Sequence, residues 1–184
     1  MEFRGFAVRR LSFALLGSLL SLTPWPATAQ DSGKGVELHA KGSATAADVG
    51  LPVYPGSKIA KTPDSDSEVD MGFTFGDTHF RLVAAKYVTD ASPAQILDFY
   101  RKPLARYGDV LECEGGKPVG AVKKARTGLT CSDPGGNQDS SESHELRAGT
   151  PQRFRIVAIG DHQGPALQFG LVYMELPKDS GSSQ

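Results

Sequence analysis

The sequence predicts an α+β domain at residues 50–176, with one main helix packed on an antiparallel sheet of about five strands and one disulfide. Three observations support this fold class. One segment carries the start signals and the apolar stripe of an amphipathic helix. Two pairs of segments alternate apolar and polar residues around a turn, and two cysteines can join two short strands. Helices and strands do not alternate along the chain, which argues against a nucleotide-binding parallel sheet.

The N-terminal 29 residues have the composition of a secretory signal peptide. Three arginines precede an apolar segment at residues 11–22. An Ala-Thr-Ala cleavage motif ends at Ala29, so that the mature chain begins at Gln30. The apolar segment is shorter than the ~20 residues that a membrane-spanning helix needs, and it contains no cysteine for lipid attachment. These features predict a periplasmic or secreted protein without a stable membrane anchor after cleavage; an uncleaved anchor is the alternative.

Several stretches of the chain are polar and show no periodicity. Residues 30–49 are small and polar, which predicts a flexible lead-in with room for a short strand at residues 36–39. Residues 61–70 predict an acidic loop, and residues 132–149 predict a mobile excursion. The tail at residues 177–184 has the composition of a disordered segment.

Two hairpins account for most of the predicted sheet. Residues 71–75 and 79–88 alternate apolar and polar side chains, and Gly76-Asp77 between them suits a tight turn. Residues 153–159 and 166–176 alternate in the same way around a glycine-rich turn. Each pair predicts one face toward the core and one face that is partly exposed.

The clearest helix signal begins at Pro93 and extends to about residue 106. Ser92 suits the N-cap, Pro93 the first helical position, and Gln95 completes a capping box. Pro103 predicts a kink or an early end, because it removes a backbone hydrogen bond, and Gly108 ends the element. The apolar stripe at helical spacing consists of Ile96, Leu97, Tyr100, Leu104 and Tyr107.

The two cysteines predict a disulfide, because an even number in an exported protein is typical of structural bridges. Cys113 ends a predicted strand at residues 110–113, and Cys131 ends another at residues 129–131. A redox pair usually has C-x-x-C spacing, and a zinc site needs four close ligands. Neither pattern is present in the sequence.

Composition and motifs restrict the function. The chain has 20 Lys and Arg against 21 Asp and Glu, and this near balance excludes a strongly basic nucleic-acid binder. Asp77 lies in the first hairpin turn and His79 opens the strand that follows it; the two could gather with the acidic loop as the site of a small hydrolase or a metal-dependent enzyme. The carboxylates of that loop alternate as calcium ligands can, but the loop lacks the Gly and the terminal Glu of an EF-hand. No motif implies a cofactor.

Four aromatic residues near the helix are candidates for a binding surface: Tyr54, Phe99, Tyr100 and Tyr107. Phe99 and Tyr100 are adjacent, so they cannot both lie at the centre of one helical stripe. One of these rings can therefore reach the edge of the core, where a partly exposed ring could contact a ligand. Packing inside the core is the alternative role.

Two stretches resemble a group of uncharacterised exported bacterial proteins. They are the LPVYPG segment at residues 51–56 and the pattern Y-x-T-x-x-S-P at residues 87–93, which precedes a helix with a Phe-Tyr pair. Leu104 and Gly108 follow the pair. The resemblance implies a strand, a capped helix and a further strand in that order, and it implies no activity.

The sequence therefore favours a non-enzymatic binding module of the cell envelope or the secreted space. Its partner would be an envelope protein or a glycan, and neither nucleic acid nor a cofactor is expected. The alternative is the small hydrolase or metal-dependent enzyme with a site near Asp77 and His79.

Overall fold

The structure is a computed structural model, and it describes residues 36–61, 68–134, 143–163 and 166–177. The predicted signal peptide, with its cleavage site between Ala29 and Gln30, lies outside the described residues. The predicted tail lies outside them from residue 178 onward.

The described residues form nine strands in one antiparallel sheet, two helices and a short 3-10 turn. The strands follow one another across the sheet in the order β1-β3-β4-β9-β8-β7-β5-β6, and β2 pairs beside β4. The strands are β1 Val36–Lys41, β2 Lys58–Ile59, β3 Glu68–Phe75, β4 Thr78–Thr89, β5 Leu111–Glu114, β6 Lys117–Pro118, β7 His144–Thr150, β8 Arg153–Gln163 and β9 Ala166–Glu175. The helices are α1 Ala46–Val49 and α2 Pro93–Leu104, and the 3-10 turn is Ala105–Tyr107.

The predicted fold class, one main helix on a sheet of about five strands, is wrong. The described part of the chain is mostly antiparallel sheet, with nine strands instead of about five, and two short helices accompany it. Both predicted hairpins are present, as β3–β4 and β8–β9; β3, β4 and β8 are longer than predicted, and β9 ends one residue earlier. The sequence analysis missed β2, β6 and β7, whereas β1 contains the short strand that it allowed at residues 36–39.

Residues 36–49 correct the predicted flexible lead-in, because they contain β1 and α1. Thr45 caps α1 and forms a capping box with Asp48. Ala46 and Val49 are fully buried, and the Ala46 N–H donates a hydrogen bond to the Tyr87 hydroxyl at 3.0 Å. Small alanines gave little hydrophobic signal in the sequence, but they let this helix approach the sheet closely.

The helix α2 has the start that the sequence predicts. The Ser92 hydroxyl accepts from the backbone of Gln95, the Gln95 side chain accepts from the backbone of Ser92, and Pro93 opens the first turn. The α-helix ends one residue after Pro103, as expected, and the backbone continues as the 3-10 turn. The apolar stripe faces the sheet, and its buried members are Ile96, Leu97, Tyr100 and Leu104.

The sheet has two differently covered faces. On the helix face, α1 and α2 cover a core that draws side chains from four neighbouring strands: Val83, Ala85, Tyr87, Leu146, Ala148, Val157, Leu167, Phe169 and Leu171. On the opposite loop face, the segment 119–134 crosses the sheet and buries Ala125 and Leu129 against Phe154 and Ile156 of β8. Among the described residues, the structure contains no helix with the length and hydropathy of a membrane span.

The disulfide between Cys113 and Cys131 is present, as predicted. Cys113 lies in β5, whereas the strand predicted at residues 129–131 is absent. Those residues instead form part of the segment 119–134, whose side chains pack onto the loop face. The disulfide therefore ties the sheet to the segment that covers it.

The predicted excursion at residues 132–149 is wrong at its C-terminal end, where β7 begins at residue 144. The strand is almost wholly buried between β5 and β8. Glu145 and Arg147 point to the loop face and form a buried ion pair, with 2.7 Å between Arg147 Nε and Glu145 Oε1. A strand that is buried on both faces is predicted from a run of apolar residues. Because Glu145 and Arg147 interrupt this run, the sequence of β7 does not show that pattern. Residues 135–142 lie outside the described residues.

Candidate binding cleft

A cleft of about 1010 Å³ opens on the helix face, beside the part that α1 and α2 cover. It lies at the end of the sheet where the β3–β4 turn and the β7–β8 turn approach the last residues of β9. Polar and charged side chains line most of it: Asp77, His79, Tyr107, Thr150, Gln152, Arg153, Arg155 and Glu175.

Arg155 of β8 is held between two aromatic rings. Its guanidinium carbon is 3.6 Å from the centroid of the Tyr107 ring and 4.8 Å from that of the Tyr173 ring. Tyr173 is the direct cross-strand neighbour of Arg155 on β9. Stacking of a guanidinium on aromatic rings stabilises the cation and restricts its side chain to one orientation.

The C-terminal end of α1 supplies the hydrogen-bond acceptors for this arrangement. Arg155 Nε donates to the Val49 carbonyl at 2.8 Å, and the Tyr107 hydroxyl donates to the Gly50 carbonyl at 2.6 Å. Gly50 has φ 81°, and a Cβ there would lie 2.8 Å from the Tyr107 hydroxyl. Only glycine accepts both the left-handed backbone and this close approach. The C-terminal end of the short helix thus fixes the positions of two side chains that line the cleft, Arg155 and Tyr107.

Both Nη groups of Arg155 are without hydrogen-bond partners in the described part of the chain, and its positive charge has no carboxylate partner there. The carbonyl of Val49 and the two rings are neutral groups. Arg155 is only half-buried and lines the cleft, so that the Nη edge of its guanidinium is the candidate contact for a ligand. This edge matches the two oxygens of a carboxylate or a phosphate.

The neighbouring Arg153 is neutralised, in contrast to Arg155. It forms an ion pair with Glu175, which also accepts a hydrogen bond from the Tyr173 hydroxyl at 2.7 Å. Burial acts to raise the pKa of the Glu175 carboxyl, but the hydrogen bonds from Arg153 and Tyr173 outweigh burial and leave the pKa lowered. Burial is also the main reason for the raised pKa of the Tyr173 hydroxyl. Glu175 is therefore ionised and satisfied.

Asp77 and His79, the predicted alternative site, both line this cleft. Asp77 and His79 are both exposed at the β3–β4 turn, and His79 Nδ1 lies 3.1 Å from the Thr74 hydroxyl. Within the described ranges, no group of three or more His, Cys, Asp or Glu side chains could hold a metal ion.

The predicted acidic loop contributes nothing to the described lining of the cleft. Residues 62–67 lie outside the described residues, while Glu68 and Asp70 belong to β3. Asp70 is buried and accepts two hydrogen bonds from Arg81, at 3.1 Å and 2.9 Å. The hydrogen bond from Arg81 is the main cause of the lowered pKa of the Asp70 carboxyl. This end of the predicted loop is a structural part of the sheet.

The structure separates the four aromatic residues that were candidates for a binding surface. Tyr107 lies in the cleft, but Tyr54, Phe99 and Tyr100 form a contiguous ring cluster at α2. Tyr100 is fully buried, and its hydroxyl donates to the Pro52 carbonyl at 2.9 Å. Of the four side chains, only Tyr107 contacts the half-buried arginine.

Sequence reasoning missed Arg155, Tyr173 and Glu175 as members of a site. The sequence did contain one indication that Arg155 has a partner, because Arg155 lies on the same face of β8 as the buried Val157. A charged side chain on a strand face that also carries buried apolar residues needs a group that compensates its charge. Its partners, however, come from α1 and the 3-10 turn, which the sequence did not place near β8.

Comparison with protein-family models, with curated proteins and with solved structures finds no match to this chain. The cleft must therefore be interpreted from its own geometry.

Proposed function

We propose that this protein is a non-enzymatic binding module of the cell envelope or the secreted space, and that its cleft binds a carboxylate-bearing group of a glycan or protein. The unpaired Nη edge of Arg155 is the observation that carries the proposal. The location rests on the signal-like N-terminus, and the disulfide is consistent with export.

The chemistry of the cleft favours binding of an anion. A guanidinium that is already oriented by two rings and one carbonyl loses little side-chain entropy when a carboxylate docks. Paired hydrogen bonds between arginine and a carboxylate are among the stronger polar contacts in proteins. The volume of the cleft lies at the upper end of the range for ligand sites, so that there is room for more than one sugar ring or residue.

A titration followed by nuclear magnetic resonance tests the proposal. The ligands are an acidic hexuronate oligosaccharide, an acidic peptide, and a neutral oligosaccharide of equal length. Binding of an acidic ligand should shift the amide signals of β8, β9 and the 3-10 turn, whereas the neutral ligand should not. The proposal fails if the acidic and the neutral ligand give the same response, or if neither acidic ligand gives any.

Two variants locate the binding. Arg155→Gln removes the charge and the paired donors, whereas Lys86→Gln removes one exposed charge from β4 on the opposite face of the sheet. Loss of the acidic-ligand response in the first variant alone would support the cleft as the site. A thermal melt of each variant shows whether it is folded.

A second candidate function is hydrolysis, because Asp77 and His79 line the same cleft. An enzyme would turn over chromogenic esters or glycosides, and His79→Gln would abolish the turnover. Binding without turnover, unchanged in this variant, would favour the non-enzymatic module.

A further inference from the structure

The two edges of the sheet are differently protected. At one edge, β6 has only two residues and ends in Pro118, which cannot donate a hydrogen bond to a further strand. At the other edge, β1 has six residues and contains no proline. Among the described strands it pairs only with β3. Long open edges usually pair or are shielded, since their free backbone groups are a template for another strand.

The side chains of β1 form a self-complementary pattern. On the helix face, Glu37, His39 and Lys41 follow one another, so that an acid and a base lie at equal distances on either side of His39. Glu37 and Lys41 are exposed and have no ion-pair partner among the described residues. When two such strands run antiparallel with the His39 residues opposite each other, each Glu37 lies opposite Lys41 of the other strand.

The side chains on the loop face of β1 are also compatible with the antiparallel register in which the two His39 residues lie opposite each other. Leu38 is 79% exposed, the highest fraction among the large apolar side chains that are exposed in the described residues. In this register Leu38 lies opposite Ala40 of the second strand. Directly opposed side chains lie about 5 Å apart between their Cβ atoms, which brings the leucine into contact with an apolar neighbour on its open side.

We infer that β1 is an interface for a second copy of this chain, with the two β1 strands paired antiparallel about His39. The sheet then continues from one copy into the other. This pattern favours a second copy as the partner, because the twofold symmetry forms the pair between Glu37 and Lys41 twice. Isologous contacts of this kind are also the commonest in soluble oligomers.

Charge substitutions on β1 test the inference in the purified protein by sedimentation equilibrium. The wild type should associate to a dimer as its concentration rises. Glu37→Lys and Lys41→Glu each place like charges opposite one another at two symmetric positions, and each should weaken association by roughly tenfold or more. An equimolar mixture of the two single variants restores both acid–base pairs and should dimerise. The double charge exchange in one chain should dimerise as well.

The test needs a control variant with the same charge change away from β1, and a check that each variant is folded. Lys117→Glu makes the same charge change on the opposite edge strand β6 and should leave the dimer intact. Each variant is also melted to show that it is folded. A wild type that is monomeric at all concentrations would overturn the inference, as would a dimer that none of the β1 variants weakens. Binding of a peptide of unrelated sequence to β1 of a chain that stays monomeric would also overturn it and would instead assign the edge to a strand of another protein.

Discussion

The burial of the ion pair between Glu145 and Arg147 on β7 determines how strongly its removal should lower the free energy of unfolding. Arg147 is fully buried and Glu145 is 2% exposed. Arg147 Nε donates to Glu145 Oε1, and Arg147 Nη1 donates to the Asp133 carbonyl at 2.6 Å. Glu145 Oε2 and Arg147 Nη2 have no hydrogen-bond partner among the described residues. The pair is thus only partly satisfied, and its contribution depends on both members being present.

Replacement of one member should be costly. Arg147→Met leaves the Glu145 carboxylate buried without a cation, which typically costs about 3–5 kcal/mol. Since domains of this size are stable by about 5–15 kcal/mol, the variant should lose a large share of its free energy of unfolding. Replacement of both members, Glu145→Leu with Arg147→Met, removes the uncompensated charge. The Asp133 carbonyl loses the Arg147 donor in both variants, so that the difference between them reports the buried charge, and the double variant should be clearly more stable than the single one.

Urea unfolding at neutral pH, with the disulfide intact, measures both effects. The midpoint should fall strongly in the single variant and recover most of the way in the double variant, without a change in the slope of the transition. A loss below about 1 kcal/mol in the single variant would show that the carboxylate reaches water, contrary to its burial in the structure. A double variant as unstable as the single one would show that packing, and not charge, dominates at this position.

Two further substitutions test the elements that build the helix face. Gly50→Ala should destabilise the protein by about 1–3 kcal/mol in urea, because it strains a left-handed backbone and drives a Cβ against the Tyr107 hydroxyl; it should also weaken ligand binding. An unchanged midpoint would contradict the close approach of Gly50 to Tyr107. Asp70→Asn removes the partner of Arg81, whose side chain is 41% exposed, so that the loss at pH 7 should be only about 1 kcal/mol. Because the pKa of Asp70 is lowered in the folded state, this stability is present above the unfolded pKa of about 3.9 and is lost as pH falls through the folded pKa. The wild type and the Asp70 variant should therefore converge in acid, and a gap that persists there would refute the ion pair as its cause.

The local signals of the sequence predict local structure well. The capping box at Ser92 and the proline at the end of α2 set the bounds of that helix, and the turn at Gly76-Asp77 sets the first hairpin. These features depend on neighbouring residues, so that they can be recognised without knowledge of the rest of the chain. The pairing of the two cysteines also follows from their number and the expected compartment.

The missed features depend on contacts between distant residues. In β7, Glu145 and Arg147 occupy buried positions where apolar side chains are expected. The two charged side chains can be buried there because they pair with each other. The cleft likewise brings together Arg155 and the Val49 carbonyl, which are 106 residues apart in the chain. Asp77 and His79 could be predicted as neighbours because one turn joins them, but Arg155 could not be assigned to their cleft from the sequence.

The affinity of an acidic hexuronate oligosaccharide for the wild type and for Arg155→Gln, measured by calorimetry at two salt concentrations, tests the proposed function most directly. We expect the wild type to bind, with an affinity that falls as salt rises, and the variant to bind at least roughly tenfold more weakly because it loses a pair of charge-assisted hydrogen bonds. Lys86→Gln should bind as the wild type does. Equal affinities of the wild type and the Arg155 variant would contradict the assignment of the cleft as an anion-binding site.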